Sequence, residues 1–136
     1  MEKLTPLSND KSYAFAWETL TTTFKDAQWE ERGAEIGDTV MSIVRGKAGW
    51  DAVESFEDMP DGMCQCPHFG VVISGRIRIV TKDGNLECTT GDIYWQAPPH
   101  RVEWLEDSVL VEFSPSKEFW AFTEQAEATK NKLENR

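Results

Sequence analysis

Apolar and polar residues alternate with period two along most of the first 115 residues, and this pattern restricts the chain to short strands with one buried face each. The clearest run is Arg76-Ile77-Arg78-Ile79-Val80-Thr81, with Ile77 and Ile79 on one face and Arg76 and Arg78 on the other. Lys82-Asp83-Gly84-Asn85 follows. Asp-Gly between alternating runs predicts a hairpin with a type I′ turn, whose two central residues need positive φ. The return strand is Leu86 to Thr89, with Leu86 and Cys88 on one face. Gly91-Asp92 turns again, and Ile93–Gln96, Val102–Leu105 and Val109–Phe113 complete the series. Upstream, Tyr13, Phe15 and Trp17 alternate, as do Leu20, Thr22 and Phe24. Asp38 to Arg45 sets Val40, Ser42 and Val44 against Met41 and Ile43. Strands repeated at roughly 8- to 12-residue spacing predict an all-β sandwich or barrel.

Residues 46–62 read as a long loop, and loops of that length in a compact domain often carry function. The tail changes period. Ser114 as cap and Pro115 as first helical residue predict a helix over about 115–130. Phe119, Phe122, Ala126 and Leu133 share one face of it, and the polar residues after Ala126 are expected to fray.

At 136 residues and 15.5 kDa the chain reads as one domain, 1–136, with a barrel core over about 20–113 that needs no disulfide staples. The net charge is −10, from 24 acidic and 14 basic residues, which repels nucleic acid and anionic membranes. Met1-Glu2-Lys3-Leu4-Thr5-Pro6 is not a basic-then-apolar leader, and no apolar run approaches the length of a membrane span. A cytoplasmic location is expected. Three cysteines are an odd number, which argues for free thiols.

Chemistry concentrates around the only two histidines. His68 ends Cys64-Gln65-Cys66-Pro67-His68, and His100 ends Gly91-Asp92-Ile93-Tyr94-Trp95-Gln96-Ala97-Pro98-Pro99-His100. In a strand, Cys64, Cys66 and His68 share a face, with neighbours about 6.5–7 Å apart. Zn–S bonds of about 2.3 Å and Zn–N bonds of about 2.0–2.1 Å let Cys64 and Cys66 share a metal with modest bending. His68, about 13 Å from Cys64 along an ideal strand, joins only if the chain bends, and Pro67 supplies a bend. His100 would close a Cys2His2 set from a neighbouring strand, which suits zinc better than a redox-active iron. The alternative is a metal-free polar pocket, because cysteine is also a common buried residue. Then His68 or His100 would be the acid–base group, since histidine titrates near neutrality.

The stretch from Cys64 to Val80, the Asp83-Gly84 hairpin and Gly91 to Glu112 resemble the two motifs of the cupin superfamily. The resemblance covers roughly residues 40–113. It implies a double-stranded β-helix, or jelly-roll barrel, followed here by the C-terminal helix. Cupins normally offer two histidines and a glutamate in the first motif. Counted back from Gly75, those places hold Gly62, Cys64 and His68. The histidine of the second motif falls at Val102, and His100 comes two residues early, which places it at the pocket rim with Val102 inside. The Cys-x-Cys-Pro-His-x-Gly spelling resembles a variant group of small stand-alone cupins. What the resemblance implies is a pocket inside the barrel for a small molecule, lined by Cys64, Cys66, His68 and His100. Phe69, Tyr94, Trp95 and Trp104 would stand at its mouth, with Trp50 over it. It also implies a homodimer, with the aromatic strand Tyr13–Trp17 at the contact. A different class of function is a metal, redox or ligand sensor acting through a partner chain.

Overall fold

Each strand buries one face, and the faces are buried by stacking two sheets. A computed structural model describes residues 3–51 and 53–136. Nine strands are present among them: β1 (Thr21–Lys25), β2 (Trp29–Ile36), β3 (Thr39–Gly46), β4 (His68–Ser74), β5 (Arg76–Thr81), β6 (Gly84–Thr89), β7 (Ile93–Gln96), β8 (Arg101–Trp104) and β9 (Ser108–Pro115). One sheet has the order β1-β2-β3-β9-β4-β7 and the other β6-β5-β8, with antiparallel pairing throughout. One helix, α1 (Ser116–Glu134), follows. The architecture is an all-β jelly roll. Phe24, Val40, Val72, Ile77, Ile79 and Leu110 are at most 2% exposed and fill the space between the sheets.

Several local expectations are corrected. Tyr13 to Trp17 is not a strand; it is irregular chain leading into a 3-10 turn at Trp17–Thr19. Trp17 is held there by the Arg32 and Arg45 guanidiniums, 4.4 and 4.1 Å from its ring. The hairpin turn is Lys82-Asp83, since Thr81 already pairs with Gly84. Positive φ falls on Gly84 (129°) and not on Asp83, so the turn is not type I′. Leu86 lies on the same face as Cys88, opposite Ile79 where Cys88 is opposite Ile77, but at 58% exposure it stays uncovered on the edge strand.

The helix starts later and runs longer than its residues suggest. β9 continues to Pro115 because Val40 pairs with Ser114 and Thr39 with Pro115. Pro115 occupies the cap position, and no side chain caps the helix. Its buried face is Phe119, Thr123, Ala126 and Thr129, not Phe122 and Leu133. Both threonines are buried because their hydroxyls are satisfied: Thr123 donates to the Phe119 carbonyl (2.9 Å) and Thr129 to Asp58 Oδ2 (3.0 Å). Asp58 also accepts from Lys132 (3.0 Å), and Glu57 from Arg136 (2.7 Å). These bonds tie the polar end to the long loop and keep it from fraying.

The loop between β3 and β4 is anchored by aromatic stacking. Phe24–Trp29, Trp29–Trp50 and Trp50–Trp104 have ring centroids 4.3, 5.8 and 6.2 Å apart, with interplanar angles of 21°, 26° and 18°. The stack ends on Gly46, where a Cβ would overlap the Trp104 ring. Gly46→Ala should therefore destabilise the fold by overpacking, by about 1–3 kcal/mol. Urea denaturation followed by circular dichroism measures this, and an unchanged midpoint would show that Trp104 has room to move.

Candidate functional site

Two backbone hydrogen bonds set Cys64 beside His100: Cys64 N–H donates to the His100 carbonyl (2.7 Å), and His100 N–H donates to the Cys64 carbonyl (3.1 Å). Between Cys64 and β4 the chain leaves extended geometry around Pro67. The Cys64 Sγ and His68 Nε2 consequently lie 3.7 Å apart rather than at strand spacing. The rings of His68 and His100 meet edge to face with centroids 5.1 Å apart. One donor atom from each of Cys64, His68 and His100 lies within 4.8 Å of the others, and all three residues are buried. His100 is 1% exposed, so it is an inside residue and not a rim residue; Val102 also lines the cavity.

The surroundings orient these donors. The His100 Nδ1–H donates to the Ala97 carbonyl (3.2 Å), which leaves Nε2 with a free lone pair. His68 Nδ1 lies 2.7 Å from Ser114 Oγ, which frees its Nε2 in the same way when the serine accepts. Cys66 N–H donates to Cys64 Sγ (3.4 Å). Burial pushes both imidazoles down to about 4, for His100 with help from the His68 ring. Both are neutral at pH 7, the state a metal needs and one in which neither imidazole titrates near neutrality. Burial also pushes the Cys64 thiol well up, so without a cation it stays protonated.

The remaining candidates separate. Cys66 is buried, but its sulfur faces the Pro67 carbonyl (3.4 Å) and borders a different cleft, against Glu118 and Phe122 of the helix. It is outside the three-donor cluster. Phe69 and Trp95 point outward, 49% and 59% exposed, and Phe69 stacks on Phe113 on the outer face of the sheet (5.0 Å). They do not stand at the cavity mouth, because alternation from the inward His68 and Gln96 puts them on the other side. Tyr94 is buried but its hydroxyl is committed, donating to Glu112 Oε2 (2.6 Å). Trp104 and Trp50 do form cavity wall.

Sequence inspection missed two carboxyl groups. Glu31 on β2 and Glu112 on β9 are 3% and 6% exposed and line the same cavity as Cys64, His68 and His100. Gly70 pairs with both Tyr94 and Glu112, and a side chain there would collide with the Tyr94 hydroxyl. Glycine thus lets Tyr94 reach across β4 to Glu112, which also accepts from Gln96 Nε2 (3.2 Å). Burial pushes Glu112 up; for Glu31, burial and then the Glu112 charge push the carboxyl to about 8. The signal that exposes Glu112 is its phase: Leu110, Glu112 and Ser114 alternate on the buried side of β9. The cavity itself measures about 50 Å³ and is walled by Trp29, Trp50, Phe56, Trp104 and Phe122.

No protein-family model matches this chain, and no curated protein matches it either. Solved structures do. An RmlC-like cupin from Shewanella frigidimarina superposes with a TM-score of 0.59 at 11% identity, over 81% of this chain and 96% of the other. This chain has the cupin fold. KdgF from Halomonas sp. gives 0.57 at 18% identity, over 77% and 94% of the two chains. Oxalate decarboxylase from Bacillus subtilis, a protein with Mn(II) centres, gives 0.55 at 15% identity over 74% of this chain but 28% of its own.

The Glu31 shift has a pH signature. Its folded pKa is raised from 4.5 to about 8, so the native state holds a proton that the unfolded state releases between those values. That contribution to stability is present below about 4.5 and is lost as pH rises to about 8, with a slope of up to about 1.4 kcal/mol per pH unit. Glu31→Gln should lack this loss. The histidines act in the opposite sense, their contribution being lost as pH falls from 6.5 towards about 4, and they cancel in the comparison. Denaturation of both proteins from pH 4.5 to 8 should show the variant gaining on the parent; a constant difference would contradict the protonated Glu31.

Proposed function

We propose that this chain is a metal-dependent, small-molecule-binding cupin, with a divalent transition metal held by Cys64 Sγ, His68 Nε2 and His100 Nε2. The observation that carries this reading is the three-donor cluster, with each donor oriented by its own backbone or hydroxyl partner. The donor set fits zinc: one soft sulfur and two imidazoles already neutral at pH 7. Mn(II), which Bacillus subtilis oxalate decarboxylase carries in this fold, is a harder ion and fits a thiol poorly. Three protein ligands leave one position for water or substrate, the arrangement of catalytic rather than structural zinc.

When bound, the metal supplies Lewis-acid chemistry: it polarises a substrate oxygen or activates water, without cycling electrons. The protein supplies the rest. Ser114 and the Ala97 carbonyl hold the two imidazoles in place. Glu31 holds a proton at neutral pH and can pass it to a ligand in the cavity. Glu112 is pinned by Tyr94 and Gln96. Trp50, Phe56 and Phe122 keep bulk water out of the small space.

We also propose a homodimer through the outer face of the six-stranded sheet. Phe69, Ile93 and Trp95 are 49%, 85% and 59% exposed there and line one shallow apolar cleft, the kind of exposed apolar surface that marks a protein contact. Light scattering at micromolar concentration should give twice the chain mass, and Trp95→Glu should lower it; a monomeric parent would refute the dimer.

Elemental analysis of freshly purified protein should find close to one zinc per chain. Cys64→Ser, His68→Ala and His100→Ala should each lose it on dialysis, because two ligands do not close a site. Cys66→Ser should retain it. Ser114→Ala should keep the metal but bind it about 10–100-fold more weakly, having lost the partner of His68 Nδ1. Retention of zinc by Cys64→Ser together with loss by Cys66→Ser would assign the wrong thiol to the site.

A further inference from the structure

The cavity that Cys64, His68 and His100 line also carries polar atoms with nothing to bond. Trp29 Nε1 and Trp104 Nε1 are buried without a partner, Glu31 Oε1 makes no well-aligned hydrogen bond although the Ser42 and Thr23 hydroxyls stand beside its carboxyl, and all three residues line the cavity. An unmade hydrogen bond at a buried polar atom costs about 1–3 kcal/mol, so three around one space are a departure that calls for a bonding partner. Two of the three atoms are obligate donors and therefore require an acceptor.

The aromatic wall narrows the charge of that acceptor. Trp29 lies between Phe24 and Trp50, Trp50 lies between Trp29 and Trp104, and Trp104 rests on Gly46. Their negative faces are occupied by one another. What remains for a ligand is ring edge and indole N–H, which are electropositive. An ammonium or quaternary ammonium group brings no acceptor and would leave both indole N–H groups unsatisfied, whatever the Phe56 and Phe122 rings offer it. At the other extreme, no Lys or Arg lines the cavity among the described residues, while two carboxyl groups do, so without a metal on Cys64, His68 and His100 nothing here offsets a dianion. Size is limiting too. A water needs about 10–15 Å³ of such space, so about 50 Å³ holds only a handful of non-hydrogen atoms.

We infer that the cavity binds a small uncharged oxygen compound, a short-chain hydroxyaldehyde or hydroxyketone. Its oxygens accept from the Trp29 and Trp104 indole N–H groups, and its hydroxyl engages the Glu31 carboxyl. This rests on the reading of the cavity as a ligand site. It does not rest on which donors hold a metal, since the three unpartnered atoms belong to other residues.

The indole N–H groups are themselves the readout. The chain has six tryptophans, so 15N-edited spectra contain six indole signals. Dihydroxyacetone, ethanolamine and oxalate serve as neutral, cationic and dianionic probes of similar size. Titrations use the zinc-loaded protein and, separately, zinc-free Cys64→Ser. Dihydroxyacetone should move two indole signals downfield, saturably, in both proteins. Trp104→Phe should delete one of those two and weaken binding about fivefold, as expected for one lost hydrogen bond. Glu31→Gln should weaken binding while leaving both signals responsive. If Trp104→Phe does not fold, the parent titration decides alone. Downfield movement with ethanolamine or oxalate in place of dihydroxyacetone in zinc-free Cys64→Ser overturns the inference, as does no movement with any probe in either protein. Absence of zinc in the parent protein overturns only the metal reading, because the response of Cys64→Ser does not depend on it.

Discussion

The reciprocal pair of backbone hydrogen bonds between Cys64 and His100 is the constraint on which the site depends. Cys64 stands just ahead of β4 in the larger sheet, and His100 just ahead of β8 in the smaller one. Pairing them closes one end of the jelly roll and brings a thiol and an imidazole from distant parts of the chain into contact. His68 then needs only the bend at Cys66, just before Pro67, to join them. Because the bonds are between main-chain groups, the geometry survives changes of side chain at either position. This separates the architecture of the site from its chemistry.

Burial decides the chemistry of everything gathered there. The same desolvation holds the histidines neutral, the thiol protonated and Glu31 uncharged at neutral pH, and it pushes Glu112 up as well. A cation entering this space meets neutral donors and displaces the thiol proton. The cavity group that titrates nearest neutrality is therefore Glu31, raised to about 8, and neither histidine, which sequence alone favours.

The fold is most legible in the alternation of residues 76–81, where Ile77 and Ile79 face inward and Arg76 and Arg78 outward. Legibility fails where the inward phase carries polar atoms. β2 (Trp29–Ile36) reads as a charged segment because its inward positions include Glu31, Gly33 and Glu35, yet it is central to the larger sheet. Glu112 is hidden in the same way among Leu110 and Ser114. Tertiary contacts override pattern there: Glu35 accepts from the Trp120 indole (3.2 Å), and Glu112 from Tyr94 and Gln96. The helix face is misread for a related reason, since Thr123 and Thr129 are buried by virtue of hydrogen bonds that hydrophobicity does not register. The convergence of Cys64, His68 and His100 is beyond strand geometry altogether, because it depends on a bend and on a bridge between sheets.

The tryptophan stack has an optical consequence. Indoles held nearly parallel, with centroids 5.8 and 6.2 Å apart, have coupled transition dipoles, so Trp29, Trp50 and Trp104 absorb as an excitonic unit rather than as three chromophores. Their near-ultraviolet ellipticity depends on spacing and tilt, and excitation placed on any one of them migrates to the others. Half of the chain's tryptophans therefore form a single built-in antenna along the cavity wall, tuned by the loop that carries Trp50.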